Sequence, residues 1–87
     1  MYKDGNGFNV YENFHELLEA DVREIYEDSE NYYFRLKPDT YYDNGAWVVN
    51  KKTHKVSFTD YISVMEKVFA YKTAHQIELS TLKKRIA

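Results

Sequence analysis

Two short apolar runs around a tight turn constrain the fold of this chain more than any other feature. Residues 46–51 (AWVVNK) and 55–59 (KVSFT) are rich in β-branched and aromatic side chains, which fit the pleated surface of a sheet. Residues 52–54 (KTH) lie between them, and we expect His54 to adopt the left-handed backbone conformation that such a turn needs. The sequence therefore predicts an antiparallel hairpin that carries the single tryptophan, Trp47.

Two further strands are predicted before this hairpin, over residues 22–28 and 32–38. The second alternates its apolar side chains with a period of two, as a strand with one solvated face does. Pro38 ends it, because proline has no N–H group to donate to a neighbouring strand. A polar connection from Asp39 to Gly45 follows. We therefore predict a three- to four-stranded antiparallel meander.

Helices are predicted on either side of the meander. Asn13 is a good N-cap and Glu16 stands at the capping-box position, so we expect a short helix over residues 13–20. Beyond the hairpin, Asp60 or Thr59 can cap the next helix. The apolar side chains that follow have helical spacing, and this signal weakens near Thr73. The pattern predicts either one amphipathic helix over residues 60–86 or two helices broken near Thr73.

The C-terminal amphipathic pattern is broad. Its central stripe has helical spacing, and four more apolar residues widen it: Ile62, Met65 and Phe69 in the centre, with Tyr61, Val64, Val68 and Tyr71 beside them. Residues 73–87 are expected to form a protruding or docking helix, and residues 1–10 a loose, flexible arm. The 87 residues together are predicted to form a single α+β domain.

The composition excludes several kinds of chemistry. The chain has no cysteine, which rules out disulfides, thiolate metal sites and cysteine nucleophiles. His15 and Glu16 begin like a zinc-protease motif, but Glu19 stands where the second histidine is needed. Neither a phosphate-binding glycine loop nor a serine-nucleophile motif occurs. We therefore predict a protein that is not an enzyme and that binds neither a metal nor a cofactor.

The expected location of the protein is the cytoplasm. Small secreted domains often depend on disulfides, and the apolar runs of this chain are far too short to span a bilayer. The first residues also lack the basic and apolar regions of a signal peptide. We accordingly expect no membrane partner.

Charge is divided unevenly along the chain, although the net charge is only −2. Residues 1–43 hold eleven acidic and four basic side chains, whereas residues 44–87 hold three acidic and eight basic ones. Such a division indicates either two surfaces for two kinds of partner or two halves that offset each other in the folded domain. The sequence leaves both interpretations open.

In the acidic half, tyrosines surround the carboxylates. Tyrosine is frequent among the residues that dominate protein–protein binding energy, and acidic neighbours steer a basic partner. Tyrosine is also a good strand former, so many of these residues can simply belong to the sheet. We predict a partner-binding surface on the loop before the hairpin and the turn beside it, made of Glu30, Tyr33, Asp39, Tyr41, Tyr42 and Asp43.

The basic half indicates two alternative functions. Lys83, Lys84 and Arg85 predict contacts with nucleic-acid phosphates, although the same charges also suit a helix C-terminus. Five lysines extend this set: Lys51, Lys52, Lys55, Lys67 and Lys72. The acidic isoelectric point, near 5.9, disfavours nucleic acid as the partner. The other alternative is a self-assembling structural protein that forms a homo-oligomer through its C-terminal helix.

The segment 45–56, with 34–38 before it, resembles hairpins of small bacterial and phage-related domains, in which glycine usually stands at the position of His54. The resemblance is one of hairpin style and implies no particular activity. Our leading hypothesis is a non-enzymatic protein-interaction module of bacterial or mobile-element origin. An inhibitor of the immunity or anti-defence type, which occludes a functional surface of its partner, is the form that we favour.

Overall fold

A five-stranded antiparallel sheet forms the centre of the protein in a computed structural model that describes residues 1–37 and 45–87. A separate two-stranded sheet pairs β1 (Tyr2–Lys3) with β2 (Asn9–Val10). The remaining elements follow in chain order: α1 (Phe14–Glu19), β3 (Val22–Glu27), β4 (Asn31–Leu36), β5 (Gly45–Asn50), β6 (Val56–Asp60), α2 (Tyr61–Met65), a π-helical turn (Glu66–Ala70), β7 (His75–Ile77) and α3 (Leu79–Ile86).

The strands of the central sheet lie in the order β6-β5-β4-β3-β7. Four of them form the predicted meander, and the α+β class is confirmed. The number of strands is larger than predicted, because the chain returns after α2 and the π-helical turn to add β7 beside β3. Strand β7 has no signal in the sequence, because His75 and Gln76 are exposed and only Ile77 is partly buried. So short a segment shows no apolar alternation.

Both faces of the central sheet are covered, because alternate side chains of each strand point to opposite sides. The first face packs against α1 and α3, and the second face packs against α2. The buried residues of the first face include Leu17, Ile25, Phe34, Val49 and Leu82. Those of the second face are Tyr26, Tyr33, Ala46 and Val64. The prediction that β4 has one solvated face is therefore wrong for its central residues.

The segment after β6 differs from the predicted long helix. The backbone of Lys72 is left-handed, with φ of 56°, which stops the helix close to the predicted break at Thr73. The amides of Thr73 and Ala74 both donate to the carbonyl of Lys67, over 2.8 and 3.2 Å. Strand β7 then takes the chain into the sheet. Helix α3 does not protrude, because Leu82 is fully buried in the first-face core.

Residues 1–10 form a hairpin where the sequence predicts a loose arm. Its turn is organised by Asp4, whose carboxylate accepts hydrogen bonds from the amides of Asn6 and Phe8, over 2.8 and 3.1 Å. Two-residue strands leave no periodic pattern in a sequence, so this hairpin had no signal to find.

The predicted turn and caps are present. His54 is left-handed, with φ of 61°, as the length of the β5–β6 turn requires. Asn13 caps α1 by accepting a hydrogen bond from the Glu16 amide over 2.9 Å, and Asp60 caps α2 in the same way through the Ser63 amide over 2.7 Å. These are local backbone requirements, so the neighbouring residues alone were enough to predict them.

The start of β5 is packed tightly against its neighbour β6. The ring of Phe58 lies over the backbone of Gly45, where a Cβ atom would collide with it. The same ring meets Trp47 edge to face, with centroids 4.9 Å apart, and Trp47 in turn meets Tyr11, with centroids 5.4 Å apart. Glycine at position 45 thus permits a row of three aromatic rings.

We expect Gly45→Ala to lower the free energy of unfolding by about 1–3 kcal/mol, as overpacking usually does. Urea denaturation measures this effect. The matched control is Gly5→Ala, since no heavy atom lies within 4 Å of a Cβ at that position. The cost at Gly45 should largely disappear when Phe58 is also replaced by alanine. An equal cost with and without the Phe58 ring would contradict the proposed collision.

Candidate functional site

The outer surface of α2 and the π-helical turn exposes three large apolar side chains. Ile62, Phe69 and Tyr71 are 71%, 72% and 68% exposed, and we call them the outer ridge. Ile62 lies in α2, Phe69 in the π-helical turn and Tyr71 directly after it, so all three lie close together in the chain. Exposed apolar side chains are ordinary when scattered singly. Three on one short segment make the outer ridge the clearest candidate for a binding surface.

The opposite side of α2 is bound firmly to the second face of the sheet. Val64 is buried and Val68 packs beside it. The guanidinium of Arg35, on β4, lies 3.7 Å from the centroid of the Tyr61 ring, which is within the range of a cation–π interaction. The outer ridge therefore stands on a rigid support, which reduces the entropy lost when a partner binds.

A polar network joins α2 to β3 and β4 near this support. Glu24 accepts a hydrogen bond from the hydroxyl of Tyr26 and a longer one of 3.4 Å from the hydroxyl of Tyr61. Arg35 completes the network, with its Nη1 atom 3.8 Å from Glu24 Oε1. Burial, together with the hydrogen bonds to Glu24 and Tyr61, raises the pKa of Tyr26. The tyrosine hydroxyl thus stays protonated and holds the carboxylate in place.

The structure divides the broad apolar stripe that the sequence shows after residue 60. Tyr61, Val64 and Val68 pack on the sheet, whereas Ile62 and Phe69 face outward. A short helical segment buries only one side against a sheet, so not all seven apolar residues fit beneath it. The excess of apolar residues was the signal that the sequence offered for the outer ridge. The segment also contains a π-helical turn, a feature often found at functional sites.

A second cluster forms at the other end of β3, around the buried carboxylate of Glu27. Lys51 Nζ lies 2.9 Å from its Oε1 atom, and Arg85 Nη1 lies 2.6 Å from its Oε2 atom. His75 Nε2 is 3.6 Å from the same Oε2 atom. Burial by itself would raise the pKa of Glu27, but the hydrogen bonds and charges of Lys51 and Arg85 outweigh it and lower that pKa.

The six predicted partner-binding residues are not brought together in the described part of the chain. Asp39, Tyr41, Tyr42 and Asp43 lie outside the described residues, which stop at Lys37 and resume at Gly45. Glu30 is exposed, but it precedes β4, whereas Lys37 follows it. A six-residue strand is about 20 Å long, so Glu30 lies far from the point where the loop leaves the sheet.

Tyr33 is the clearest correction among the predicted site residues. Only 3% of it is exposed, because α2 covers the face of β4 that is predicted to be solvated. Its hydroxyl donates to Asp28 Oδ2 over 2.6 Å. Burial, and then this hydrogen bond, raise the pKa of Tyr33 to about 12. Tyr33 is therefore a core residue and offers no surface to a partner.

The predicted basic residues of α3 divide in a similar way. Lys83 and Lys84 are exposed, while Arg85 is held by Glu27.

His15 and Glu19 line a cavity of about 420 Å³ between β2 and α1. In the described ranges, 1–37 and 45–87, no group of three or more metal-ligating side chains is placed to hold an ion. None of the helices within those ranges is long and apolar enough to cross a membrane.

Comparison of the chain with protein-family models, with curated proteins and with solved structures found no match. The geometry of the outer ridge and of the Glu27 cluster is therefore the basis for assigning a function.

We expect Glu27→Gln to lower the free energy of unfolding near neutral pH by about 1–3 kcal/mol, the range for hydrogen bonds to charged groups. The pKa of Glu27 is lower in the folded state than its usual 4.5. Its contribution is therefore complete above the unfolded pKa and is lost as the pH falls through the folded pKa. The difference between wild type and variant should shrink on acidification in urea denaturation series. The control is Glu30→Gln, and an equal loss in both variants would refute a special role for Glu27.

We expect the outer ridge to contribute little to folding. Ile62→Ser and Phe69→Ser should each change the free energy of unfolding by less than about 0.5 kcal/mol, because exposed side chains lose little on truncation. Val64→Ala, on the buried side of the same helix, should cost about 1–3 kcal/mol. Thermal or urea denaturation separates the two cases. A large loss from Phe69→Ser would show that the outer ridge belongs to the core instead.

Proposed function

We propose that this protein is a non-enzymatic interaction module that binds a partner protein through the outer ridge. The observation that carries the proposal is the exposure of Ile62, Phe69 and Tyr71 on one helical segment. Each of them loses the favourable free energy of burial, about 1.5–3 kcal/mol for a fully buried large apolar side chain. A partner with an apolar groove would recover that free energy.

The chemistry of the outer ridge suits a protein surface. Aromatic residues are enriched at the centres of protein–protein interfaces, and charged residues surround them. Phe69 and Tyr71 supply the aromatic centre, and Glu66, Lys67 and Lys72 supply charge of both signs nearby. Charge of both signs favours a partner with a matching polar rim over a lipid surface, which attracts mainly basic residues.

The mode of action that we propose is occlusion of a partner surface, as an inhibitor of the immunity or anti-defence type would act. The outer ridge begins beside the end of β6, and Asp60 of that strand pairs with Gly45 of β5. The acidic, tyrosine-rich residues 39–43 come shortly before Gly45 in the chain. The proposal includes them as a second contact that steers a basic partner, and it assigns no catalytic step to any residue.

Site-specific photocrosslinking tests the proposal directly. A photoreactive phenylalanine analogue would replace Phe69 or Ile62, and the labelled chain would be illuminated in a lysate of the source cells. We expect one protein to be crosslinked from both positions, and its identity follows from mass spectrometry. An adduct of twice the chain mass would identify a second copy of this chain as the partner, in agreement with the self-assembly alternative.

Two controls make the crosslinking decisive. The same analogue at Asn6, an exposed position in the β1–β2 turn, should give no adduct. An excess of unlabelled wild-type chain should prevent the adduct, whereas an excess of the Phe69→Ser variant should not. Equal crosslinking from positions 6 and 69, or an adduct that wild-type chain does not prevent, would refute binding at the outer ridge.

A further inference from the structure

The folded chain gathers basic side chains of its second half at one end of the central sheet. The β5–β6 turn and the last turn of α3 both lie there, because Lys51 and Arg85 reach the same carboxylate, Glu27. Strand β7 begins at this end too, since His75 pairs with Glu27 across the sheet. We call this the basic end. Its basic residues are Lys51, Lys52, Lys55, Lys83, Lys84 and Arg85. Two histidines, His54 and His75, also lie at this end.

Glu27 organises the basic end without cancelling its charge. The carboxylate is buried and holds Lys51 and Arg85 in fixed positions. Lys52, Lys55, Lys83 and Lys84 are exposed, and none of these four forms an ion pair with a described residue. Arg85 and Lys51 are therefore positioning residues, and the four exposed lysines are the charges that can meet a ligand.

The basic end keeps a positive excess after its acids are counted. Among the residues of the strands and of the β3–β4 turn, the acids at this end are Glu27 itself, Asp28 and Glu30. Six lysine and arginine side chains outnumber them. Two hydrogen bonds from the amides of Glu30 and Asn31, 2.8 and 2.7 Å long, turn Asp28 inward to its own turn. The fold thus separates charges that the net value of −2 conceals.

The basic end lacks the apolar centre of a protein interface. Among the described residues, the large exposed apolar side chains lie mainly on the outer ridge and near the N-terminus. Ile86 lies in the last turn of α3, and Tyr71 of the outer ridge comes four residues before His75. Lysines without an apolar centre bind by charge, which is how proteins hold the phosphate backbone of nucleic acids. An acidic protein partner would need aromatic or aliphatic contacts as well.

We propose that the basic end binds the phosphate backbone of nucleic acid through Lys52, Lys55, Lys83 and Lys84. Neighbouring strands are about 4.8 Å apart, so the end of a five-stranded sheet is about 19 Å wide. A duplex carries about one negative charge per 1.7 Å of its axis, so a surface as wide as this sheet end spans several phosphates. This activity is separate from the outer ridge, which lies on the second-face side of the sheet.

Fluorescence anisotropy with a labelled DNA duplex of about 20 base pairs tests the proposal. Because each phosphate contact gives a log–log salt slope of about −0.9, the four lysines predict a loss of affinity of roughly 150-fold between 50 and 200 mM salt. The double variant Lys52→Gln/Lys84→Gln should reduce the magnitude of that slope by about 1.8. Circular dichroism and urea denaturation confirm that the variant stays folded.

The matched control is Lys3→Gln/Lys37→Gln, which removes the same charge from exposed residues elsewhere. Lys37 follows β4, at the opposite end of the sheet, 3.4 Å from Asp21. This control should leave affinity and salt slope unchanged. An equal loss in both double variants, or no binding at 50 mM salt, would overturn the proposal. Tighter binding to poly-glutamate than to the duplex would also overturn it, in favour of an acidic protein. Crosslinking from Phe69 is unaffected by any of these outcomes.

Discussion

The constraint on which this structure depends is that a five-stranded sheet has two faces and the chain must cover both. Helices α1 and α3 cover the first face, and α2 with its π-helical turn covers the second. The helices are short, between five and eight residues, so each has one side for the sheet and one for solvent. On the second face, α2 and the π-helical turn can bury only one side against the sheet. Val64 therefore fills the core, while Ile62 and Phe69 remain exposed to solvent.

The sequence was sufficient for features whose cause is local. The left-handed residue His54, the N-caps Asn13 and Asp60, and four strands of the sheet all follow from neighbouring residues. What it could not supply were contacts between distant segments. Nothing near Glu27 indicates that Arg85 binds it, and nothing near Tyr33 indicates that α2 covers it. A period-two pattern shows that a strand has two faces, but not whether the second is solvated.

The candidate sites show the same division between local and distant causes. The exposed lysines of the basic end were visible in the sequence, but their common location depends on Glu27. The residues of the outer ridge were also visible, as part of an apolar stripe, and only the packing of Tyr61 and Val68 shows which of its members face outward. Charge and apolarity can be read from composition, whereas their separation onto different surfaces is a property of topology.

The pairing of β7 with β3 has a consequence for how the molecule is made. Ile25 pairs with Ile77. During synthesis, one edge of β3 therefore stays unpaired until the ribosome has added about fifty more residues. Until then, that edge presents unpaired backbone groups of the kind that recruit other chains. The segment that closes it is three residues long and is tied down by α3. Protection of the newly made sheet against misassembly therefore depends on how soon β7, one of its shortest strands, pairs with β3.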